Sequence, residues 1–91
     1  MDQNLIEQVN FKYDMVMTTD PYSLLLQADE VRLEDDLVQV LLSYGGPTIY
    51  LDLTEGQDCI RGYYGADMYE IAIPEFYCQW ARELVYELYG N

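Results

Sequence analysis

Residues 37–53 read Leu37-Val38-Gln39-Val40-Leu41-Leu42-Ser43-Tyr44-Gly45-Gly46-Pro47-Thr48-Ile49-Tyr50-Leu51-Asp52-Leu53, and the fold turns on this stretch. Leu37 to Tyr44 is an apolar, β-rich run, and Thr48 to Leu53 is a second one. Between them Gly45 and Gly46 offer the positive backbone angles that a tight hairpin demands. Pro47 has no N–H to give to a ladder, so it belongs at the first position of the returning strand. In that strand Ile49, Leu51 and Leu53 face one side and Tyr50 and Asp52 the other, because side chains alternate along extended chain.

Toward the C-terminus the pattern repeats. Glu55, Gly56, Gln57 and Asp58 make a turn, Cys59 to Tyr64 reads as a third strand, and Gly65 to Asp67 turns into Met68 to Ile73. There Tyr69, Ile71 and Ile73 alternate with Met68, Glu70 and Ala72. An antiparallel meander of three to four strands is predicted. Pro74 suits the first position of a helix whose apolar stripe is Tyr77, Trp80, Ala81, Leu84, Val85 and Leu88, with Gly90 as its terminator. This amphipathic helix supplies the layer that one face of the sheet needs, and Trp80 is expected in the core.

Toward the N-terminus, residues 1 to about 30 suggest short helical segments. Leu5, Val9, Tyr13 and Val16 recur at helical spacing, while Phe11, Tyr13, Met15 and Met17 also alternate as a strand would, so helix and strand both stand for that piece. Asp20 before Pro21 is an N-cap with proline in the first turn. The helix it opens is expected to end near Asp29, with Tyr22, Leu25 and Leu26 toward the core. The fold class expected is α+β, in a single domain over residues 1–91.

The chain is 51% hydrophobic with ten Tyr, one Trp and two Phe, enough apolar surface to fold where a poorer acidic chain would stay disordered. It has no His, and Cys59 and Cys78 form no CxxC pair, so neither a zinc site nor a disulfide framework is expected. No signal peptide or membrane-length apolar run is read, which makes the cytoplasm the expected location. Without His, and with little room for a shielded carboxylate pair, no enzyme and no cofactor are expected. Asp52, Thr54, Gly56 and Asp58 do not meet the order of a calcium loop.

Charge points further. Seventeen acidic residues against four basic ones give a formal net charge of -13, equal to about 22 Å of DNA duplex at one charge per about 1.7 Å of axis. A folded chain of this length should be about 30 Å across, so its surface would approach the charge density of DNA. Such a surface should repel nucleic acid and attract a basic protein. The acids fall at Asp29, Glu30, Glu34, Asp35 and Asp36, then at Asp52, Glu55 and Asp58, then at Asp67 and Glu70, with Tyr50 and Tyr63 set among them as interface aromatics. These twelve residues are the candidate partner-binding set.

In charge and character, rather than through a motif, the chain resembles the small phage-encoded anti-CRISPR and anti-restriction proteins that act as DNA mimics. The resemblance rests on the acid clusters Asp29 to Asp36 and Asp52 to Asp58, the Tyr44-Gly45-Gly46-Pro47 turn and the closing helix. It implies a monomer, in the host cytoplasm if phage-encoded, that occupies the basic DNA-binding surface of a defence complex and excludes DNA by charge and bulk. A CRISPR effector subunit that reads target or protospacer-adjacent DNA would be one such surface. The alternative is an acidic adaptor or toxin-neutralising protein whose basic partner has nothing to do with DNA.

Overall fold

The carboxylate of Asp2 accepts the backbone N–H groups of Asn4 at 2.8 Å and Leu5 at 3.3 Å. It thereby caps α1 (Gln3–Met17) in the computed structural model, which describes residues 2–90. The N-terminal piece is thus helix throughout, with Leu5, Val9 and Val16 buried and Phe11 exposed. Asp20 caps α2 (Pro21–Gln27) by accepting the Ser23 N–H at 3.0 Å. That helix ends two residues before Asp29. It buries Pro21, Leu24 and Leu25, whereas Tyr22 and Leu26, expected inside, face solvent, because two turns present only one narrow face to the body.

Five strands follow, all antiparallel and in chain order: β1 (Glu30–Glu34), β2 (Leu37–Ser43), β3 (Thr48–Asp52), β4 (Cys59–Tyr64) and β5 (Asp67–Ala72). The expectation of three to four strands missed β1. Its sequence Glu30-Val31-Arg32-Leu33-Glu34 alternates with period two, but as an edge strand it buries only Val31 and Leu33, and those partly. Asp35, at φ 51°, and Asp36 join it to β2. In the central hairpin only Gly45 takes a positive φ, 105°, and Pro47 precedes the first residue of β3.

α3 (Glu75–Tyr89) closes the chain, with Pro74 one position earlier than expected, at the N-cap. Its buried residues are Tyr77, Cys78, Ala81 and Val85. Trp80 is 52% exposed and Leu88 47%, so the expected apolar stripe is wider than the buried one. At about 100° per residue Trp80 points well to one side of the line through Tyr77, Ala81 and Val85. Leu88 lies on that line, in the last turn.

All three helices contribute to one core cluster with Val38, Val40, Ile49, Leu51, Leu53 and Ile60. α1 crosses β4 and β5, and α3 lies against α2 and β1. Gly62 on β4 is the point of closest approach, since a Cβ there would collide with Val9 and press Leu5 Cδ1 at 3.0 Å. The opposite face of the sheet carries two rows of directly opposed residues. One is Arg32, Gln39, Asp52, Cys59 and Ala72, and the other Glu30, Leu41, Tyr50, Arg61 and Glu70.

Candidate functional site

Antiparallel order sends alternate turns to opposite ends of the sheet, and this divides the twelve candidate residues. The β1–β2 turn and the β3–β4 loop lie at one end with the start of α3. Glu34, Asp35, Asp36 and Glu55 are all exposed there. Together with the side of α3 they form an open groove lined by Asp36, Thr54, Glu55, Arg82 and Tyr86, which continues past Gly56, Asp58, Glu75, Gln79 and Glu83. Asp29, Glu30 and Asp67 lie toward the other end. Asp67 there accepts the backbone N–H of Asp2 at 3.2 Å.

Three candidate acids are ion-paired within the fold. Asp52, expected to face a partner, is 3% exposed because it ends β3 on the same face as Arg61. Its Oδ2 accepts from Arg61 Nη1 at 3.1 Å and from Gln39 Nε2 at 3.4 Å, and its Oδ1 from the Thr54 N–H at 3.1 Å. Glu70 Oε2 takes the Arg61 Nε–H at 3.1 Å and the Cys59 thiol at 3.4 Å. Asp58 Oδ1 meets Arg82 Nη2 at 2.5 Å, while Arg82 Nε donates to the Leu53 carbonyl at 2.6 Å. Asp52 is therefore removed from the partner-facing set, and Asp58 and Glu70 enter it already partly neutralised.

The two candidate tyrosines belong to the sheet face without helices. Tyr50 is half-buried between Leu41 and Arg61, and exposed Tyr63 stands between Thr48 and Met68. They are set apart from the acidic groove. Sequence reading passed over Glu83, Arg82 and Tyr86, because they look like the ordinary polar flank of α3. The spacing of Glu75, Gln79, Arg82, Glu83 and Tyr86 nevertheless places them on one side of the helix.

Burial pushes the Cys59 thiol up to about 11 and the Cys78 thiol up to about 12, so both are protonated and poorly nucleophilic at neutral pH. Burial by itself would lower the Arg61 pKa, but the hydrogen bond to Glu70 and the neighbouring Cys59, Tyr63 and Asp52 raise it. Arg61 and Arg82 are both committed to carboxylates. Among the described residues no group of three or more His, Cys, Asp or Glu side chains is disposed to hold a metal ion. None of the described helices is long and apolar enough to cross a membrane. No family model, curated protein or solved structure matches this chain.

Proposed function

We propose that this protein is an acidic decoy that occupies the basic, DNA-binding surface of a partner protein and excludes DNA from it without a catalytic step. The observation that carries the reading is how little of the negative charge the fold consumes. Of seventeen carboxylates, three are ion-paired with side chains of the described residues, and fourteen are not. The body measures 38 × 25 × 24 Å. A duplex as long as its 38 Å axis carries about 22 phosphate charges, against a net -13 here. The protein therefore reaches about three-fifths of the linear charge density of DNA, less than a rounder body would have given. Asp36, Glu55, Glu75 and Glu83 concentrate part of it at one end.

Lys and Arg that release counterions on meeting phosphates would meet these fixed carboxylates instead. Association should be steered and fast at low salt, and should weaken as salt rises. The DNA-recognition subunits of bacterial defence complexes, CRISPR effectors among them, are the targets to which the resemblance points. A labelled duplex bound to such a subunit is the assay. The decoy releases the duplex in proportion to its own binding and causes no mobility shift of free DNA. Formation of a ternary complex with the duplex still bound would instead identify an adaptor for a basic protein.

A further inference from the structure

Beyond Glu83, the side of α3 next to the acidic groove carries an apolar cleft. Phe76, 73% exposed, and Trp80, 52% exposed, form its lip. Met17, Thr18, Thr19 and Asp20, from the end of α1 and the cap of α2, make the opposite wall. Its floor is Tyr77, fixed by a hydrogen bond from its hydroxyl to the Thr19 carbonyl at 3.0 Å. Trp80 meets the Tyr77 ring edge-on, with centroids 6.3 Å apart. A soluble surface seldom leaves its one tryptophan and a phenylalanine side by side in water unless something covers them.

The charges around the cleft say what covers it. Phe76, Trp80, Glu83 and Glu87 follow at steps of four, three and four residues, so they line one exposed face of α3. The two aromatic rings thus run directly into two carboxylates, and Asp20 supplies a third from the facing wall. A second copy would bring like charge onto like charge at a net -13 each. An anionic lipid surface would be repelled in the same way.

We propose that this cleft is a docking site for a cationic amphipathic segment of a protein partner. Apolar side chains of the segment would enter between Phe76, Trp80 and Met17, and its Arg or Lys residues would meet Glu83, Glu87 and Asp20. Trp80, half exposed, could also receive a cation on its ring. This rests on the reading that the partner is basic, and it adds that binding is anchored by an aromatic cleft as well as by field. Exposed aromatic anchors of this kind carry a disproportionate share of binding energy.

The test uses a short Leu/Arg peptide with its Leu residues on one helical face. Two controls accompany it: the same residues shuffled to abolish that face, and the same face with every Arg replaced by Gln. Trp80 is the chain's one tryptophan, so its emission reports the cleft directly. The amphipathic cationic peptide should shift that emission to the blue and bind at least about tenfold more tightly than either control. Trp80→Ser or Phe76→Ser should weaken binding of the labelled peptide about tenfold while the circular dichroism spectrum stays the same. The two variants serve independently should either fold poorly. Equal binding of the shuffled peptide would reduce the effect to charge, equal binding of the Gln peptide would reduce it to greasy contact, and concentration-dependent dimerisation that buries Trp80 would name a second copy. Each of these overturns the proposal. Peptide docking with no displacement of DNA in the duplex assay would keep the cleft and sink the decoy, and the converse result would do the reverse.

Discussion

Arg82, on the third turn of α3, holds the carboxylate of Asp58 across the β3–β4 loop, and through its Nε it also holds the Leu53 carbonyl at the start of that loop. One guanidinium thereby pins both ends of the segment that carries Glu55, and with it the shape of the acidic groove. Two of its donors are used, and their acceptors have no second cationic side chain among the described residues.

Arg82→Ala should therefore loosen residues 53–58 more than it loosens the sheet. A cost of about 1–3 kcal/mol is expected for leaving a partly buried carbonyl and carboxylate without their donor. Hydrogen exchange should rise in that loop and stay low in β3 and β4. Uniform exchange across the sheet would show that the clamp stabilises the whole fold rather than one loop.

Charge reversal separates acids on the surface from acids inside the structure. Glu34→Lys, Asp35→Lys and Asp36→Lys together should leave the circular dichroism spectrum intact and cut affinity for a basic target, because all three are exposed. Asp52→Lys should unfold the chain, since it would set a cation against Arg61 at a site that is 3% exposed. A folded Asp52→Lys protein would mean that the Arg61 network contributes little.

Gly62→Ala tests the seat of α1. The new methyl would press on Val9 and Leu5, both fully buried, so the helix must lift or its side chains must leave their rotamers. A loss of about 1–3 kcal/mol is expected, read as a lower midpoint in urea. The pair Gly62→Ala with Val9→Ala should recover part of it. Unchanged stability of the single variant would show that α1 rides loosely on β4.

Alkaline pH should weaken the fold before acid chemistry does anything comparable at these groups. Burial raises Cys59 from 9.0 to about 11, Cys78 from 9.0 to about 12 and Tyr77 from 10.0 to about 12. The folded state therefore holds these protons more tightly than the unfolded one. Their contribution is complete below about pH 9 and is lost as pH rises from there to about 12. Urea midpoints should fall across that window, and Cys78→Ala should flatten the fall.

The sequence revealed the hairpin at Gly45-Gly46-Pro47, the cap at Asp20, the presence of α3 and strands β2 to β5, because each leaves a local mark. It concealed β1 because an edge strand of alternating charge and aliphatic residues needs little burial to form. It misplaced Trp80 because periodicity gives the direction of a side chain but not how much of that direction a neighbour covers. Asp52 was misread for a different reason. Its partner Arg61 lies nine residues away and reaches it only through the β3–β4 register, which no single strand announces. The surface acids were legible one by one, but their division between the two ends of the sheet depends on the number of strands. Counting β1 sets which turns share an end.

A sheet whose order in space is its order along the chain has a kinetic consequence. Each of its four hairpins closes between neighbours, so no strand must wait for a distant partner, and only the docking of α1 and of α3 closes long loops. Chains rich in local contacts fold fast. Refolding followed by the Trp80 signal should lag the far-ultraviolet signal of the sheet, because the helix that carries Trp80 docks only by closing the long loop back to α2 and β1.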